Sequence, residues 1–182
     1  MTAAPQLKMK LESKLPSCTE IGLQASKKGD FQMARQMLRK AIEQLEGLHD
    51  KQSQLIDLTT NIADTYLNEG RYDSAKEWYA KALHRAETLH GAHSLQGACL
   101  LARLAEVSVL QSDMTDFQKS FDSAQRAYLL ADESSDVSNL LAALIDLSWA
   151  LCVRGQFIEE VRHVNCLIAQ IRQIDEEDRL AA

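Results

Sequence analysis

The stretch "GRYDSAKEWYAKALHRA" (residues 70–86) restates, residue class by residue class, the earlier stretch "GDFQMARQMLRKAIEQL" (residues 29–45). Gly29 corresponds to Gly70, Phe31 to Tyr72, Ala34 to Ala75, Leu38 to Tyr79 and Ala41 to Ala82, each at a step of 41 residues. The residues before the glycines match as well: Ile21-Gly22 lies over Ile62-Ala63, and Ala25 over Tyr66. A fixed period of this length marks a stacked array, in which each unit buries its apolar face only against its neighbours. Within a unit, apolar residues recur at three and four, the spacing of an amphipathic helix. Each copy therefore predicts two helices that approach closely at small residues, with an aromatic filling the gap. The glycine ends the first helix, because it takes a left-handed turn without a Cβ penalty.

Two further copies follow. Residues 144–171, "LIDLSWALCVRGQFIEEVRHVNCLIAQI", supply Leu147-Ser148, Leu151, Gly155, Phe157, Val164, Leu167 and Ile168. Residues 101–133 form a degenerate third copy with Phe117, Ala124 and Ala127. The aromatic steps are 41, 45 and 40 residues, which predicts a longer internal turn in the third copy. Asp30 and Thr115 are expected N-caps of second helices, and Thr115-Asp116-Phe117-Gln118 fits a capping box. The chain thus reads as a 1–14 N-terminal segment, four units over 15–173 and an acidic tail over 174–182. The units fall at about 15–52, 53–94, 95–134 and 135–173.

Composition points the same way. Of 182 residues, 46% are hydrophobic and 25% charged, with only seven glycines and two prolines, as a helical globular chain requires. The formal net charge of −6 argues against general nucleic-acid binding, which needs a concentrated positive surface. Charge is uneven: residues 1–40 hold eight Lys/Arg against three Asp/Glu, and residues 130–182 hold four against ten. Cys18, Cys99, Cys152 and Cys166 are dispersed in apolar helical patterns, without a C-x-x-C pair. With no secretory signal at the start, they predict a reducing cytoplasm. The longest apolar run, "NLLAALIDLSWALCV", is too short to span a membrane and contains Asp146.

These residues resemble the tetratricopeptide repeat. "NIADTYLNEGRYDSAKEWYAKALHRAETLHGAHS" carries its small pair, aromatic, glycine, aromatic and alanine pattern. The unit of about 41 residues, with its long second helix and "LHGAHS" linker, is most similar to the kinesin light chain type of that superfamily. The resemblance covers roughly residues 15–173. It implies an all-α, right-handed superhelical solenoid of about four antiparallel helix pairs, with the first helices lining a concave groove. No kinesin function follows from it, since fold does not fix function.

Chemistry finds no foothold in the motifs. His84, His90 and His93, with Glu87 among them, do not converge: His84 lies six residues before His90, on another helical face, and no cysteine is close in sequence. There is no nucleophile elbow, P-loop or dinucleotide fingerprint. The acidic pairs Glu159-Glu160 and Asp175-Glu176-Glu177-Asp178 are sequence neighbours, which do not face one another on a helix. No catalytic residue, metal or cofactor is expected.

The groove is the expected site. The resemblance carries its groove positions onto Thr19, Leu23 and Lys27 in the first unit, and onto Asp57, Thr60, Asn61, Asp64, Leu67 and Asn68 in the second. In the third they fall on Arg103, Glu106 and Leu110, and in the fourth on Ile145, Trp149 and Val153. Trp149 stands either in the groove or partly under the tail. This mixed wall suits an extended peptide or a partner helix. Family members that grip chaperone carboxylate tails use a Lys and an Asn in the first unit, an Asn in the second, and a Lys and an Arg in the third. Asn61 and Arg103 match, but Thr19, Leu23 and Cys99 occupy the other places, which disfavours that ligand. The expected function is a non-enzymatic adaptor or scaffold for a protein or peptide partner, without nucleic acid or membrane. The alternative is a self-assembling scaffold subunit, in which another chain covers Val164, Leu167, Ile168 and Ile171.

Overall fold

The computed structural model describes residues 17–129, 137–154 and 158–181, excepting the side chains of His49, Ala127 and residues 174–181. Segment 1–14, Gly155, Phe157, the side chain of Ala127 and the side chains of the acidic tail lie outside the described residues. Among the described residues the regular structure is entirely helical: α1 (Cys18–Lys27), α2 (Phe31–Leu45), α3 (Gln52–Asn68), α4 (Tyr72–His90), α5 (Leu95–Gln111), α6 (Met114–Leu129), α7 (Ser138–Arg154) and α8 (Ile158–Ala181). A single turn of 3-10 helix, His49–Lys51, precedes α3. Helices pair in sequence as α1–α2, α3–α4, α5–α6 and α7–α8. This is the all-α solenoid the repeat requires, and α8 runs helically through the acidic segment.

Local chemistry sets each boundary. Ser17 and Glu20 form a capping box on α1, at 3.2 Å and 2.7 Å. Asp30 accepts from the Met33 amide at 3.1 Å, and Ser94 from the Gly97 amide at 3.1 Å. Within each of the first three pairs the turn has one geometry. The residue past the helix end takes positive φ, namely Gly29 at 80°, Gly70 at 75° and Ser112 at 63°. The next amide then reaches back across the turn: Asp30 to the Ala25 carbonyl at 3.0 Å, Arg71 to Tyr66 at 2.9 Å, Asp113 to Ser108 at 2.8 Å.

That recurrence corrects the third unit. Its internal turn is not longer. Serine holds the left-handed position where glycine stands in the first two, so the sequence carries no glycine to mark it. Asp113, not Thr115, is the N-cap of α6, accepting from the Asp116 amide at 3.1 Å. Met114 therefore takes the place of Phe31 and Tyr72, while Phe117 takes that of Ala34 and Ala75. Phe117 is still buried, stacked on Phe121 with centroids 5.8 Å apart. Facing α5 makes room with Ala98, Ala102 and Ala105, all fully buried in the same cluster.

The core falls into two clusters. One runs through α2, α3, α4 and one face of α5, centred on Leu38, Ile62 and Tyr79. The other joins the opposite face of α5 to α6, α7 and α8. Within the second, Val164, Leu167, Ile168 and Ile171 are buried against the chain's own helices. They need no cover from another molecule, contrary to the expectation that another chain covers them. Stacking also changes along the array: α4 packs on α5, but α7 packs along α5 rather than on α6.

Candidate binding groove

Helices α3, α5 and α7 present one polar face each to a shared hollow. Its first part, about 800 Å³, is lined by Asp57, Thr60, Asn61, Asp64, Gln96 and Arg103, with His90 and His93 at the rim and Asn139 from α7. A second part of about 450 Å³ continues past Asp64 and Arg103 to Leu67, Asn68, Glu106, Leu110 and Asp146. Of the fifteen expected groove residues, nine line these two hollows: Asp57, Thr60, Asn61, Asp64, Leu67, Asn68, Arg103, Glu106 and Leu110. Trp149 lines neither, and its side chain stands 72% exposed on α7. Thr19, Leu23 and Lys27 of α1 lie outside both hollows.

The wall is an ordered charge network. Arg103 donates to Glu106 at 3.0 Å and across to Asp146 on α7 at 2.6 Å. Asp64 accepts from the Tyr79 hydroxyl, and Asp57 from the Gln96 amide at 3.3 Å. Burial raises the pKa of Asp64 above the ordinary carboxylate value, against the lowering pull of the Tyr79 bond and of Arg103. Glu106 is likewise raised by burial in spite of Arg103, and Asp57 by burial alone. Burial opposes the charge on Arg103, yet Tyr79, Glu106, Asp64 and the bond to Asp146 together outweigh it and lift its pKa. Burial and Asp64 together push the Tyr79 phenol well above its usual value, so Tyr79 donates throughout the physiological range. Burial also raises the Cys99 thiol, which makes it a poor nucleophile.

Two members of this site are hidden in the sequence. Asp146 interrupts an apolar run, and three residues later comes Trp149, a groove position by the resemblance; that spacing is the signal. Tyr79 reads as packing alone, and its hydroxyl's reach to α3 becomes visible only in three dimensions. Trp78 sits apart on the outer surface, half-buried between Arg39 and Lys81, whose cations lie 5.5 Å and 4.6 Å from its ring. Among the described residues, no three His, Cys, Asp or Glu side chains converge as a metal site, and no helix is long and apolar enough to cross a membrane.

Paired helices stacked around a concave polar wall define a helical repeat solenoid. Residues 17–88 match the family described as tetratricopeptide repeat, and that part of the chain carries this repeat. Proteins built on it generally act by binding other proteins. The solved structure of BtubC (BKLC) from P. vanneervenii shares the fold, with a TM-score of 0.67 and 16% identity over 87% of this chain and 63% of that one. The chain spans less than two thirds of that protein's length. No curated protein matches the sequence.

Proposed function

We propose that the protein is a non-enzymatic interaction module of the cytoplasm, an adaptor or scaffold whose four units hold a partner's peptide or helical segment in the groove of α3, α5 and α7. The observation that carries this reading is the continuity of the hollow across three inner helices, with polar side chains of each pointing into it. Extended segments and amphipathic helices dock in troughs of this kind. The network's members differ in how far they can be probed. Asp64 and Glu106 are largely buried, so reversing their charge would unbalance Arg103 and disturb folding as well as binding. Asp57 and Asp146 are exposed and leave the core untouched. A photo-crosslinking residue at Asn68, in the groove, is expected to capture a segment of a partner protein, while one at His84, on the outer α4, is not. Capture from His84 alone sinks the groove reading.

A further inference from the structure

We infer that the segment this groove accepts is cationic and amphipathic, with lysine or arginine turned toward α3 and α5 and apolar residues at four-residue steps laid along α7. This rests on the concave-groove reading and adds the partner's chemistry to it.

Two independent features carry the inference. The first is charge. Asp57, Asp64, Glu106 and Asp146 line the two hollows, and Arg103 is the one Lys or Arg among the described residues that line them. Arg103 already donates from Nη1 to both Glu106 and Asp146, so its single positive charge is matched by two carboxylates. Arg154, at the far end, donates to the Leu110 carbonyl. An anionic segment would meet an excess of carboxylates, whereas a cation would complete a pattern that Arg103 leaves short. The second feature is apolar. Ile145, Trp149 and Val153 stand 44%, 72% and 65% exposed at successive steps of four on α7, beside Asp146. An exposed row led by tryptophan is the composition of an interface centre rather than of idle surface. Its step matches the apolar edge of a second helix.

The test uses fluorescence anisotropy with two short synthetic peptides, one of repeating Leu-Lys-Lys-Leu and one with glutamate in place of every lysine. The lysine peptide is expected to bind the full chain at least about tenfold more tightly, and to weaken as salt is raised. Replacing Asp57→Asn together with Asp146→Asn, or Trp149→Ala alone, is expected to weaken it about tenfold. The pair Glu43→Gln and Glu87→Gln, on exposed outer positions, should change it by less than about twofold. Crosslinking from Asn68 separates the failures. If the glutamate peptide crosslinks there as well as the lysine peptide, the charge assignment is overturned and the groove stands. If neither crosslinks, both fall. If the lysine peptide binds only after residues 1–16, with Lys8, Lys10 and Lys14, are removed, the occupant is the chain's own segment and a separate cationic partner is overturned.

Discussion

The hydroxyl of Tyr79, a fully buried residue of the seam between α3 and α4, donates to the carboxylate of Asp64 on the groove side of α3. The residue that packs the repeat therefore also orients the polar wall of the hollow. Core and groove are one hydrogen-bonded unit at this point, which makes the coupling measurable.

Tyr79→Phe keeps the ring and removes the donor. A buried carboxylate left without its partner is expected to cost about 1–3 kcal/mol in urea unfolding at neutral pH. Losing a bond to the charged form lifts the Asp64 pKa further, so the penalty should shrink as pH falls into the carboxylate range. Equal stability of both proteins at neutral pH would show that the bond contributes nothing.

Asp57, Asp64 and Glu106 all have raised pKa values in the folded chain. The folded state then holds their protons more tightly than the unfolded state. Their contribution is most favourable below the unfolded pKa and is lost as pH rises through the folded one. Asp64→Asn keeps an acceptor for Tyr79 and abolishes the ionisation. It should melt at higher temperature than the parent at neutral pH, with the gain disappearing at about pH 4 and below. A lower melting temperature at neutral pH contradicts the assignment.

Ser112 and Gly70 occupy equivalent left-handed turns, so exchange should act in opposite directions. Ser112→Gly is expected to stabilise by about 0.5 kcal/mol, relief of a side chain at positive φ outweighing the added freedom of the unfolded chain. Gly70→Ala should destabilise by about 1 kcal/mol. A Cβ at Gly70 would meet nothing within 4 Å, so that loss reports the backbone alone. Chemical denaturation of both variants decides the matter, and a stabilised Gly70→Ala would refute it.

Gly22 is constrained by space instead. A Cβ there would lie 2.9 Å from Leu38 Cγ and 3.3 Å from the Ala34 carbonyl oxygen. Alanine favours a helix by about 1 kcal/mol over glycine, but overpacking costs about 1–3 kcal/mol, so Gly22→Ala should be a net loss. In a double-mutant cycle, Leu38→Ala should recover part of that loss. Strict additivity would mean that the two side chains do not meet.

What the sequence made legible follows from which forces repeat. The small and aromatic positions recur because each unit meets the same packing problem, so Ala34, Leu38, Ala41, Ala75, Tyr79 and Ala82 could be read directly, and all six are buried. Turns are less legible, because several residues can hold one backbone shape. Ser112 does the work of glycine without resembling it, and that displaced the third unit's register onto Phe117. The groove wall on α3 and α5 was legible through position in the unit. Arg103 joining Asp146 across 43 residues was not, since a cross-helix ion pair leaves no period behind.

The change in stacking along the array has a consequence for whatever lies in the groove. Inner helices α3 and α5 approach each other less closely than α5 and α7 do, and Gln96 bridges α5 to Asp57 of α3. The trough is therefore a ruler with unequal divisions, coarse at one end and fine at the other. Were a segment to lie there, as proposed, it could not slide by one unit or turn end for end and meet the same spacing again, and the wall would select one polarity and one register.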